Sequence, residues 1–162
     1  MNASLLFRVL LGALPIFAIA SCASEEPDDL RYENLFGNMH GVPWSGGPAT
    51  VRTDSARGIV VRIYEQGTEG QPCKLLLTQG RRVEITMPYV APGWFEAPSN
   101  PGFRVEIWQD ATGQSDPQSV VAIDQAAKVP GETLIGRARY GSQQSGDVIE
   151  GSFSAVVCEQ LP

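Results

Sequence analysis

The residues of this chain that could do chemistry are three cysteines, one histidine and some acidic pairs. A Cys–His or Ser–His–Asp nucleophile would have to use His40, the only histidine. Gly37 and Gly41 lie on either side of it, so the spacing places His40 in a turn, and no Gly-x-Ser-x-Gly elbow accompanies it. A zinc site needs three or four nitrogen or sulfur ligands. None would remain once Cys73 and Cys158 are bridged, so neither a metal nor a cofactor is expected. The run Asp110-Ala111-Thr112-Gly113-Gln114-Ser115-Asp116 is rich in oxygen, as calcium loops are. Thr112 and Gln114 are weak ligands at the third and fifth positions, so a hairpin turn is the better reading. Glu132 and Glu150 could be the paired carboxylates of a glycoside-cleaving enzyme, a pairing that any acidic β protein offers. No catalytic residue is assigned.

The strongest surface signal is aromatic. Between Pro88 and Phe103 the chain holds Tyr89, Trp94 and Phe95 among Pro92, Pro98 and Pro101. Aromatic rings on a loop stiffened by proline can form a preorganised contact patch for a glycan or a protein. The same rings can fold back and cap the open end of a β structure. Tyr89, Trp94 and Phe95 are therefore the candidate contact surface, with capping as the alternative, and Trp44 shares the ambiguity.

The cysteines bear on location. Arg8 precedes the apolar run 9–19, and small residues follow it. That is the order of an export signal: positive end, apolar core, cleavage site. The core is too short for the roughly 20 residues a membrane-spanning helix needs. Cleavage after Ala20 would suit ordinary secretion. Ile19-Ala20-Ser21-Cys22 instead looks like a lipobox, where the chain is cut before Cys22 and lipid is attached to that residue. An odd cysteine count in an exported protein leaves one thiol over. If Cys22 carries lipid, Cys73 and Cys158 form one disulfide and nothing is left unpaired.

Removing residues 1–21 leaves 141 of 162 residues and takes the net charge from −6 to −7. This acidic balance argues against a nucleic-acid partner, whose phosphates it would repel. Residues 22–34 read as the lipidated cysteine and an acidic tether containing Glu25, Glu26, Asp28 and Asp29. Residues 35–162 read as one domain.

Elements that could position these side chains are strands. Ile59, Val61 and Ile63 alternate with Val60, Arg62 and Tyr64. Val83, Ile85 and Met87 alternate with Arg82, Glu84 and Thr86. Phe103, Val105 and Ile107 alternate with Arg104, Glu106 and Trp108. Further β patterns cover 48–53, 118–124, 132–141 and 147–158, with a bulge or kink expected at Gly151. A short helix fits only at 73–79. The 17 glycines and 12 prolines fall between these runs, as turn punctuation. The expectation is an all-β fold: an antiparallel sandwich of about seven or eight strands, immunoglobulin-like or jelly-roll, with a small barrel as the alternative.

Gly37–Trp44, the strand at Ala49–Thr53, the mid-chain Cys73 and the closing Gly151-Ser152-Phe153-x-Ala155-x-x-Cys158 complete a pattern. It resembles small lipoproteins of Gram-negative bacteria with a lipobox and one β-sandwich. The resemblance implies two or three acyl chains on Cys22 and anchorage in the cell envelope. Ala23 follows the cysteine where an Asp would retain such proteins at the inner membrane, so the outer membrane is expected. The alternative is a secreted or periplasmic protein. The expected function is a non-enzymatic interaction or structural module that meets an envelope protein or glycan. The rival is an envelope hydrolase using acidic residues.

Overall fold

The computed structural model describes residues 34–75, 79–141 and 146–162. The expected export signal at 1–21, Cys22 and the expected acidic tether up to residue 33 lie outside the described residues. Within them the fold is all-β. Its strands are β1 (Phe36–Met39), β2 (Val42–Asp54), β3 (Gly58–Glu65), β4 (Arg81–Met87), β5 (Gly93–Glu96), β6 (Arg104–Gln109), β7 (Thr112–Ser115), β8 (Val120–Gln125), β9 (Thr133–Tyr140) and β10 (Ile149–Val157).

All ten join one sheet in the order β5-β8-β9-β10-β1-β2-β3-β4-β6-β7. The strand count exceeds the expected seven or eight, and the sheet is continuous rather than split in two. It curls into a half-barrel, so that β6 packs against β8 and β9 across the core. Phe95 stacks on Phe103 at 3.9 Å, tying the two sides of the curl together. Strand pairing is antiparallel except where β10 runs parallel to β2, Ala155–Val157 beside Ala49–Val51.

The alternating side chains account for this arrangement. Val83, Ile85, Met87, Val105 and Ile107 are essentially without solvent exposure, as are Val61, Leu134, Ala155 and Val157. Each large member stabilises the fold by about 1.5–3 kcal/mol through burial. A single-residue slip would turn a whole strand's apolar face outward, so the pattern fixes the register. The β1–β2 hairpin turns at His40 and Gly41, whose φ values of 53° and 73° suit a two-residue turn of the primed kind. Asp110 and Ala111 turn β6 into β7, which makes the oxygen-rich segment a hairpin.

The described start of the β3–β4 connection, residues 66–75, lies against Arg52 of β2 and Tyr64 of β3. A 3-10 turn at Pro72–Lys74 overlaps the first residues of the 73–79 segment where a short helix is expected, of which 76–78 lie outside the described residues. Buried Tyr64 donates its hydroxyl to the Leu75 carbonyl at 3.3 Å, and Arg52 donates to the Cys73 carbonyl. Cys73 and Cys158 are joined as a disulfide. The β9–β10 register runs through Gly151 without a break. Register shifts occur instead in β2, between Gly46 and Ala49, and in β8, between Ile123 and Gln125.

Gly37 lets β1 lie between β10 and β2. A Cβ there would sit 1.9 Å from the Val148 carbonyl oxygen. Gly37→Ala is expected to destabilise the protein by more than about 2 kcal/mol, because backbone rather than a side chain must give way. Urea unfolding of the variant beside the parent checks this.

Candidate functional site

The outer faces of β3, β4 and β6 carry polar side chains that the register places side by side. Arg62 pairs across the sheet with Glu84, and Glu84 with Glu106; one step along, Tyr64 pairs with Arg82 and Arg82 with Trp108. Same-face neighbours on adjacent strands have Cβ atoms about 5 Å apart, close enough for direct interaction.

Glu84 is the centre of the cluster and is only 1% exposed. Three guanidinium groups donate to its carboxylate. Arg62 Nε and Arg82 Nε each reach Oε1 at 2.9 Å, and Arg57 Nη1 reaches Oε2 at 2.5 Å. Burial pushes the Glu84 carboxyl up. The hydrogen bonds from Arg82 and Arg57, with the charges of Arg62 and Arg57, outweigh that and hold it below its ordinary value. Glu84 is therefore a permanent anion at neutral pH.

Arg57 reaches in from the β2–β3 turn. It is held at that end by Asp54, whose carboxylate accepts from Arg57 Nη2 at 3.1 Å. Its Nη1 also lies 3.8 Å from Glu106. The Arg82 guanidinium sits 4.9 Å from the centre of the Trp108 ring, within cation–π range. Trp108 in turn lies against Gly113 of β7, where an added Cβ would come within 2.5 Å of the indole. Around these groups is an open cleft of about 650 Å³, lined by Arg57, Arg62, Arg82, Glu84, Trp108 and Asp110, with Gln79 and Ala111 at its rim. That volume falls within the range of small-molecule sites.

The residues that the sequence brings forward lie elsewhere. Phe95 is 8% exposed and belongs to the core, and its ring also meets Tyr89 edge-on at 6.0 Å. Trp94 is half-buried against Val120 and Ala122, and its indole donates to Glu96 at 3.2 Å. Tyr89 is 48% exposed. The aromatic loop thus caps the core with Phe95 and Phe103 and leaves Tyr89 as its exposed ring. Trp44 is buried in the core. His40 stands in its turn with Nδ1 4.0 Å from Asp147.

Glu132 and Glu150 do not converge. Glu132 accepts from the backbone amides of Lys128 and Val129 within its own turn. The neighbouring Thr133 pairs with Val156, whereas Glu150 pairs with Arg139 at the other end of the β9–β10 ladder. Six residues of strand separate these pairs, about 20 Å. A glycosidase pair needs roughly 5–10 Å. No group of three or more potential metal ligands occurs among the described residues.

The arginine cleft is not foreseen as a site. Its signal is present in the polar faces of three runs: Arg62 in the first, Arg82 and Glu84 in the second, Glu106 and Trp108 in the third. Only the pairing of β3, β4 and β6 places them on adjoining strands. No family model matches the chain, and neither a curated protein nor a solved structure is detectably similar to it.

Removing the Glu84 charge leaves three guanidiniums facing a neutral amide. Glu84→Gln is expected to cost about 3 kcal/mol in denaturant unfolding at pH 7. The pH dependence has a definite sign. With its folded pKa below the ordinary value of 4.5, Glu84 contributes stability above that pH and loses it as pH falls through the folded value. Parent and variant stabilities should converge in acid, as pH falls below the folded value. A constant gap across the range would show that the charge is not the cause.

Proposed function

We propose that the chain is a lipid-anchored lipoprotein of the cell envelope, whose β domain is a non-enzymatic interaction or structural module. The observation that carries this reading is the pairing of Cys73 with Cys158, whose Cα atoms lie 5.2 Å apart across 85 residues of sequence. Disulfides persist in oxidising compartments outside the cytosol. With these two cysteines paired, Cys22 is the remaining one. It lies at the end of Ile19-Ala20-Ser21-Cys22, just after an apolar run with the layout of an export signal. Two or three acyl chains on that residue would supply the more than one hydrophobic signal that stable anchoring takes.

Ala23 after the cysteine favours the outer membrane over inner-membrane retention. The acidic stretch from Glu25 to Asp29 serves as the tether. The net charge of −6 supports a protein or glycan partner over nucleic acid. The half-barrel serves as the counterpart of the expected sandwich, with β8 and β9 packed across the core against β6. The resemblance to small envelope lipoproteins of Gram-negative bacteria belongs to this proposal. The non-enzymatic reading is supported by the carboxylates. Glu84 is buried and held charged by arginines, and Glu132 is engaged in its own turn.

Cys22→Ser tests the anchor. The parent protein is expected in the membrane fraction, with a diacylglycerol-modified Cys22 at its amino terminus by intact-mass spectrometry. The variant is expected in the soluble fraction. A variant that still sediments with membranes, or a parent that begins at Ser21 without lipid, would contradict the reading.

A further inference from the structure

We propose that the arginine cleft binds a monoanionic sugar acid, a uronate-type ligand whose carboxylate is received by Arg62. The proposal deepens the interaction-module reading by naming a ligand class, and it does not depend on the anchor.

The three arginines are not equivalent. Arg57 is consumed by the protein: Nη1 goes to Glu84, while Nε and Nη2 go to Asp54. Arg82 gives Nε to Glu84 and Nη1 to the Asp110 carbonyl at 2.9 Å. Arg62 gives only Nε, to Glu84. Among the described residues nothing accepts from its Nη1 and Nη2. These two nitrogens form the end-on edge of the guanidinium, a ready fork for a planar carboxylate. The bond to Glu84 fixes the orientation of that fork before any ligand arrives, which lowers the ordering cost of binding.

The charge balance selects the ligand. The cleft lining carries Arg57, Arg62 and Arg82 against Glu84 and Asp110, an excess of one positive charge. Asp54 and Glu106 also flank Arg57 and Arg104 flanks Glu106, so the wider surroundings are neutral and the local excess is the open Arg62 fork. One negative charge is accommodated there, whereas a dianionic phosphate would meet the nearby carboxylates. Asp110 uses Oδ1 to accept from the Gly80 amide at 2.8 Å. Its Oδ2 has no donor among the described residues and suits a hydroxyl group. The exposed Gln79 side chain at the rim has no hydrogen bond among the described residues and can both donate and accept. One carboxylate beside several hydroxyls is the pattern of a uronate.

The three tryptophans provide the readout. Trp108 lines the cleft, Trp44 is in the core and Trp94 lies on β5. The full mature protein in detergent would be titrated with sodium galacturonate while the three indole N–H resonances are followed by NMR. The Trp108 resonance is expected to shift, with a Kd in the millimolar range. The other two are expected to stay still. Glucose, which lacks the charge, should produce no shift. Arg62→Gln should weaken binding about tenfold or more, as loss of a charged hydrogen-bonding partner does. Gln79→Ala leaves the Glu84 network whole, so it tests the cleft even if the arginine variant folds poorly; it should weaken binding several-fold. No response of Trp108, equal binding of glucose, tighter binding of inorganic phosphate, or undiminished binding by both variants would each overturn the proposal. None of those results touches the Cys22 test, so the two readings fail separately.

Discussion

The whole sheet depends on β10. This last strand pairs with β9 along its length, with β1 at its start and with β2 at its end. It therefore joins two groups of strands, β5-β8-β9 on one side and β1-β2-β3-β4-β6-β7 on the other. Without it the backbone ladder between those groups is lost, and the apolar faces of β9 and β2 lose the strand beside them. Ile149, Phe153, Ala155 and Val157 of this strand are all buried. β10 follows in sequence all the strands it joins, so folding depends on distant pairing such as β10 with β1 and β2, which is intrinsically slow.

The end of β10 is fastened several times over. The Cys158 amide donates to the Val51 carbonyl at 3.0 Å, and the Glu159 carboxylate accepts from the amide and hydroxyl of Thr53. Those Thr53 hydrogen bonds hold the Glu159 carboxyl below its ordinary value. The disulfide then ties the same point to the β3–β4 connection. One consequence is architectural. The connection is pressed onto Tyr64 and Arg52 and leads to Gln79 at the rim of the cleft. The clamp on the last strand and the rim of the arginine cleft thus belong to one continuous piece of chain. Within the cleft, an anion as buried as Glu84 is costly unless it is fully paired. Three guanidiniums supply that pairing, so the carboxylate serves to orient the arginines.

Much of the fold was legible where alternation was long enough to read. The core faces of β3, β4, β6 (with Phe103 just before it) and β10 are the alternating sets 59-61-63, 83-85-87, 103-105-107 and 149-151-153-155-157. The strands that escaped notice are β1, β5 and β7, of four residues each. Phe36-Gly37-Asn38-Met39 and Gly93-Trp94-Phe95-Glu96 are too short for a period to emerge, and Thr112-Gly113-Gln114-Ser115 buries nothing. Those three account for the difference between seven and ten strands. The aromatic residues of 89–103 have the composition of a contact surface, yet Phe95 is core, because ring chemistry does not say which way a ring points. The arginine cleft was invisible for the opposite reason. Arg62, Glu84 and Trp108 are separated by more than twenty residues at each step and become neighbours only through register, which a single sequence does not state.

The central claim is that β10 is the strand on which both groups depend. Native-state hydrogen exchange on the oxidised protein tests it most directly. Hydrogen-bonded amides within Ile149–Val157 are expected to exchange only through global unfolding, in the slowest class with β3 and β4. After reduction of Cys73–Cys158, protection in β8–β9 and in β2–β4 should fall together. Faster exchange of β10 while β2–β4 stays protected would contradict the account, because it would show a sheet that survives without its joining strand.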